Sequence, residues 1–184
     1  MRNFSLSKES AGLLLIDVQE KVFNQVERPK EVLIALQQIC TGCRIMHLPI
    51  VVTEQYPQGL GTTLCPLKDC LGANQHYLSK TTFSCMNDAN IRKYLLALPV
   101  KQWIVAGLEA HICVLQTVRQ LLEAQKEVVV LNDAISSRSI YDFSTAIAEM
   151  RDLGARISST ETVLFELLKD SKAPEFREIS LLVK

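Results

Sequence analysis

Three residues of this chain combine into a chemically useful set: a carboxylate, Asp17; an amine, Lys80; and a thiol, Cys113. Asp17 ends the apolar run Ala11-Gly12-Leu13-Leu14-Leu15-Ile16, Lys80 ends a short run from His76, and Cys113 lies just beyond Gln102-Trp103-Ile104-Val105-Ala106-Gly107. A thiol with a pKa of about 8.5 needs a neighbouring base or cation to attack at neutral pH. Cys113 also stands at the expected start of a helix, where unpaired N–H groups and the helix dipole favour a thiolate and an oxyanion. A carboxylate alongside opposes the thiolate until it takes the proton, so the direction of the net shift stays open. His111 is a poorer base for this thiol, because residues two apart do not share a helix face. Cys40 and Cys43 form a C-x-x-C late in a predicted helix, with no second ligand pair at zinc spacing, and read as structural thiols. Gly59-Leu60-Gly61 is too short to cradle a phosphate and reads as a turn.

The elements that must position these residues alternate. The run 11–16 suits a strand covered on both faces. A helix follows Pro29, with Val32, Leu33, Leu36, Ile39 and Cys40 at helical spacing. A second strand spans 49–54, and a long loop runs from Gln55 to about Asn74, carrying Pro57, Gly59, Gly61, Pro66 and Gly72. Loops of that length are commonly functional. A strand at 76–80, a helix at 87–98 and a strand at 102–106 follow. Then come a helix at 114–124, a strand at 127–131 and a helix at 141–153 stopped by Gly154. A strand at 156–158 precedes Ser158-Ser159-Thr160-Glu161, a capping box opening the helix to Leu168. Pro174 opens a last helical segment. This alternation predicts one α/β domain over residues 1–184: a Rossmann-like, three-layer α/β/α fold around a six-stranded parallel sheet. Open parallel sheets bind ligands beyond the carboxyl ends of their strands, where Asp17, Gln19, Glu54, Lys80, the segment Glu109 to Cys113, and Asp133 fall.

Composition narrows the partners. The 184 residues carry 20 basic and 20 acidic side chains, and no basic stripe points to nucleic acid or an anionic membrane. No apolar stretch approaches the roughly 20 residues of a spanning helix. The start lacks signal-peptide architecture, and six cysteines without it suggest free thiols in a reducing, cytoplasmic setting. The neutral charge balance and the apolar segment Ile179-Ser180-Leu181-Leu182-Val183 suggest a homo-oligomer.

Three segments resemble the signatures of isochorismatase-like hydrolases, a family that includes nicotinamidases and N-carbamoylsarcosine amidases. They are Leu13-Leu14-Leu15-Ile16-Asp17-Val18-Gln19, then Lys80, then Gly107-Leu108-Glu109-Ala110-His111-Ile112-Cys113-Val114. Thr53-Glu54-Gln55-Tyr56-Pro57-Gln58-Gly59-Leu60-Gly61 and Asp133-Ala134-Ile135-Ser136-Ser137-Arg138-Ser139 are similar to the isochorismatase domain-containing branch. The resemblance runs from about Gly12 to the C-terminus. It implies an isochorismatase-type fold with Cys113 as nucleophile, Asp17 as general base and Lys80 as the cation holding both anionic forms. It also implies a cis peptide between Leu108 and Glu109 and an oxyanion site at the N–H groups of Glu109 and Cys113. Gln19 would orient Asp17, while Phe23 and Tyr56 would wall a small-molecule pocket. Glu54 either lines that pocket or holds the loop.

Nicotinamidases carry an Asp-x-His metal pair where this chain has Gln55-Tyr56-Pro57, so neither a metal nor another cofactor is expected. Isochorismatases proper lack the nucleophilic cysteine, so Cys113 leans the reading toward attack on a carbonyl. The expected reaction is hydrolysis of a small amide, ureido or ester-like substrate through a thioester. The alternatives are vinyl ether hydrolysis with Asp17 as acid, and a catalytically silent scaffold.

Overall fold

The structure, a computed structural model, describes residues 4–184; residues 1–3 of the expected domain lie outside that range. In chain order the elements are β1 (Ala11–Ile16), α1 (Glu20–Phe23), α2 (Pro29–Ile45), β2 (Ile50–Gln55), α3 (Pro57–Leu60), α4 (Cys65–Leu71) and β3 (Tyr77–Lys80). They continue with α5 (Ala89–Ala97), β4 (Gln102–Leu108), α6 (Leu115–Glu123), β5 (Glu127–Ser136), α7 (Ile140–Asp152), β6 (Arg156–Ser158), α8 (Thr160–Leu168) and α9 (Phe176–Leu182). The six strands form one parallel sheet in the order β3-β2-β1-β4-β5-β6. The order reverses between β1 and β4, which opens a crevice at their carboxyl ends.

Every residue of β1 is buried. Its side chains alternate between the faces: Leu13 and Leu15 join the core under α2 and α8, Leu14 and Ile16 the core with residues of α5, α6 and α7. Burial on both faces explains why this strand reads as an unbroken apolar run. At Gly107 a Cβ would lie 2.0 Å from the Ile16 carbonyl oxygen, and φ is +125°. Only glycine lets β4 pass that close to β1, and the crevice begins there.

Four local expectations are corrected. The stretch 55–74 is not one loop: Pro57 and Pro66 stand in the first turns of α3 and α4, where a missing N–H costs nothing. β4 continues through Gly107 to Leu108, and β5 continues past Leu131 to Ser136, across a register shift between Val105 and Gly107. The helix near Cys113 is preceded by a π-helical turn, Ala110–Val114, so Cys113 lies within that turn and ahead of α6. The capping box is not formed. Ser159 caps α8 without a side-chain bond, and the Asp133 carboxylate instead accepts from the Thr160 N–H at 2.9 Å and from its hydroxyl at 3.1 Å. A carboxylate delivered from β5 satisfies the helix N-terminus better than the local serine.

Candidate active site

Asp17 turns the chain out of β1 with φ of +51°, in the left-handed region that aspartate tolerates better than most residues. β2 lies beside it with Thr53 opposite Ile16, and the Thr53 hydroxyl donates to Asp17 Oδ1 at 2.7 Å. β3 pairs Lys80 with Gln55. The Lys80 ammonium donates to Asp17 Oδ2 at 2.5 Å and to Gln55 Oε1 at 2.7 Å. The Lys80 and Asp17 side chains are 0% and 5% exposed. A pair this deep persists only because both partners have their remaining polar capacity met nearby. Cys113 arrives from the other side of the crevice, after the cis Leu108–Glu109 peptide and within the π-helical turn that follows β4.

The electrostatics follow from burial. Burial acts to lower the Lys80 pKa, but Asp17 and the Cys85 and Cys113 sulfurs together raise it above its ordinary value, so Lys80 is an ammonium near neutral pH. Burial, and then the charge of Asp17, raise the Cys113 thiol well above the usual range, against the opposing pull of Lys80. A hydrogen bond with Asp17 further favours the protonated thiol. At rest the site therefore holds an ion pair beside a neutral thiol. The open question of direction resolves upward, because desolvation outweighs the single lysine.

Asp17 and Cys113 open onto a cavity of about 80 Å³, together with Gln19, Val22, Gln55, Leu60, Phe83, Leu108, Glu109 and Ile112. At its edge the Glu109 carboxylate accepts from Arg138 Nε at 2.8 Å. Of the residues expected from the sequence, Asp17, Lys80, Cys113, Leu108 and Glu109 gather here.

Others are placed differently. Gln19 reaches the cavity, but its amide donates to the Gln55 and Gly61 carbonyls and accepts from the Gln55 N–H. It fastens the 55–63 segment, and the orienting contacts on Asp17 come from Thr53 and Lys80. Glu54 is a loop-holding residue: its carboxylate accepts from the Thr63 N–H at 2.7 Å and hydroxyl at 2.8 Å. Phe23 is buried in the core; one step along α1 turns the helix by about 100°, which gives the cavity wall to Val22 instead. Tyr56 is 54% exposed, and its ring lies against Gly59, where a Cβ would meet it at 2.3 Å. The apolar walls come from Leu60, Phe83 and Ile112, which had no assigned role. His111 pairs with the Ser137 hydroxyl at 2.9 Å. Thr53 was legible only in part, since strand register had to be known before it could be set beside Asp17.

Among the described residues, no three His, Cys, Asp or Glu side chains gather as a metal site, and no helix is long and apolar enough to cross a membrane.

Residues 11–162 match the family model of the isochorismatase domain. Isochorismatase domain-containing protein 2 of Danio rerio is 37% identical over 179 residues, covering 97% of this chain and 89% of that protein. Isochorismatase family protein 1A of Dictyostelium discoideum is 35% identical over 178 residues, covering 95% and 86% respectively. The structure of the MAR1 ribonuclease from Caenorhabditis elegans superposes with a TM-score of 0.92 at 35% identity, covering 98% of this chain and 92% of that one.

Proposed function

The chain belongs to the isochorismatase-domain family, and on that premise we propose that it is a cysteine-dependent hydrolase of a small amide, ureido or ester-like substrate. One observation carries the reading: the Asp17 carboxylate of a buried Lys80–Asp17 ion pair lines the same small cavity as Cys113. In the family's hydrolase fold this is a nucleophile with a base lining the same cavity and a cation paired to the base.

The raised thiol pKa dictates the order of events. Cys113 does not rest as a free thiolate, so it loses its proton to Asp17 as Sγ bonds to the substrate's carbonyl carbon. Lys80 balances the charge while the proton moves. The oxyanion then faces the N–H groups of Glu109 and Cys113. When the carbonyl re-forms, the bond to nitrogen or oxygen breaks and Asp17 returns the proton to the leaving group. Cys113 is left as a thioester. Water, deprotonated by Asp17, attacks that carbonyl, releases the acid and restores the thiol.

The ribonuclease name belongs to the Caenorhabditis elegans protein. Binding RNA requires a basic surface tracking the phosphates, whereas the one lysine at this site is already bonded to Asp17 and Gln55. The test is to incubate the protein with a panel of small amides and esters and read Cys113 by peptide mass spectrometry. An acyl adduct that accumulates and turns over, with both lost in Cys113→Ala, is the expected result. Hydrolysis of these substrates that persists in Cys113→Ala would overturn it.

A further inference from the structure

The cavity at Cys113 is small, and among the described residues no cation lines it. Its walls are Val22, Leu60, Phe83, Leu108 and Ile112, and its two ionisable linings besides the thiol are both carboxylates, Asp17 and Glu109. Each carboxylate is already paired, Asp17 with Lys80 at 2.5 Å and Glu109 with Arg138 at 2.8 Å. Lys80 itself lines nothing: its side chain is 0% exposed, and its two side-chain acceptors, Asp17 and Gln55, lie between it and the cavity. An anionic substrate group would be stripped of water beside two carboxylates, with no ammonium or guanidinium lining the cavity among the described residues. That arrangement repels anions and offers a cation nothing that is not already bonded. The volume, about 80 Å³, is far below that of pockets for drug-sized ligands.

Resting on the hydrolase reading, we propose that the substrate is an uncharged acyl compound whose acyl part is a short apolar chain, selected by Val22, Leu60, Phe83 and Ile112. The acyl carbon sits at Cys113 Sγ, its chain lies along these four side chains, and the leaving group points toward the open mouth. Carboxylate-bearing substrates are excluded by charge and long or branched acyl chains by volume. Phe83 is the gatepost of this selection, because it is 56% exposed at the rim and its ring still lines the cavity.

Alkyl methanethiosulfonates, which transfer a thioalkyl group to a cysteine and release methanesulfinate, test this without knowledge of the natural substrate. The exposed Cys65 serves as an internal reference in the same molecule, and peptide mapping reads the two thiols separately. Propyl and 2-sulfonatoethyl reagents have similar size and differ in charge. The ratio of Cys113 to Cys65 labelling is expected to be at least tenfold higher for the propyl reagent. Along a neutral series from methyl to hexyl the ratio should fall at least tenfold, and Phe83→Ala should abolish most of that fall. Equal ratios for propyl and sulfonatoethyl overturn the exclusion of anions, and a flat series overturns the short acyl chain; in both cases Cys113 is still reached, so the hydrolase reading stands. A Cys113 that stays unmodified by every reagent while Cys65 reacts overturns the hydrolase reading itself, and the substrate class with it.

Discussion

The four buried thiols form two pairs with different surroundings. Cys40 and Cys43 lie in α2 among the apolar side chains under one face of the sheet. Cys85 and Cys113 lie on the other face, at the carboxyl edge, among Thr53, Asp17 and Lys80. Burial pushes all four upward, Cys43 to about 12 and Cys85 to about 11. What separates the pairs is the company. Among the described residues, only burial and neighbouring cysteines act on the first pair, with no carboxylate or cation beside them. Cys113 has both, and Cys85 is lowered by Lys80 and by its bonds with Thr117 and Thr53. On the proposed mechanism, a buried thiol becomes usable when a proton acceptor lines the same cavity, even if its own pKa stays high.

The strongest attack on that comparison is deletion of one thiol from each pair. Cys113→Ala is expected to abolish turnover and acyl-adduct formation. Cys43→Ala should leave turnover within about twofold while lowering stability by about 1 kcal/mol through the lost sulfur contacts. A Cys43 variant that loses activity at unchanged stability would break the division between the pairs.

Lys80→Met comes next. It leaves Asp17 buried without its cation, a change that costs about 3–5 kcal/mol in comparable buried pairs. Asp17→Asn in the same chain removes the orphaned charge and should return much of that loss, with no return of activity. Urea unfolding of the two single variants and the double variant measures the coupling. Additive losses would mean that the pair contributes no specific interaction.

Alkaline pH separates the pairs more finely. A thiol whose folded pKa lies above its ordinary value of 9.0 stabilises the fold fully below that value and loses its contribution as pH rises toward the folded pKa. Each such thiol therefore costs about 1.4 kcal/mol per pH unit above 9. For Cys85 the loss ends near pH 11 and for Cys43 near pH 12. Denaturant unfolding at pH 8, 9 and 10 should show a slope that each alanine variant reduces by about that amount. A stability flat from pH 9 to 10 would contradict the burial of both thiols.

The sequence made the site's skeleton legible because a parallel sheet leaves its chemistry at strand ends. Apolar runs covered on both faces are easy to see, and the residues that end them, Asp17 and Lys80, announce themselves. Cavity walls are another matter. Val22 and Phe23 are neighbours in sequence and both apolar, and only the rotation of a one-turn helix decides which faces Cys113. Tyr56 has the right type and place, yet the left-handed backbone at φ +37° lays its ring on Gly59. Gln19 and Glu54 fall at strand ends like Asp17 and Lys80 but answer to the backbone of the 55–63 segment, a demand visible only once that segment is folded. Thr53 was hidden for a related reason: its partner, Asp17, lies 36 residues away, and only register brings them together.

The division between chemistry and support extends to the strand-end carboxylates, where the expected effect is smallest. Asp17 follows the end of β1, and Asp133 lies in the carboxyl-side half of β5. Asp17 meets a lysine and a thiol, whereas both oxygens of Asp133 are taken by the N-terminus of α8. Asp133→Ala removes a cap and should cost about 1 kcal/mol. Cys113 labelling by the propyl reagent should stay within twofold of the unaltered protein, because α8 packs under the opposite face of the sheet from Cys113. Thermal unfolding and peptide mapping on one preparation read both quantities. A labelling rate that falls tenfold with no loss of stability would move Asp133 from the supporting group to the reacting one.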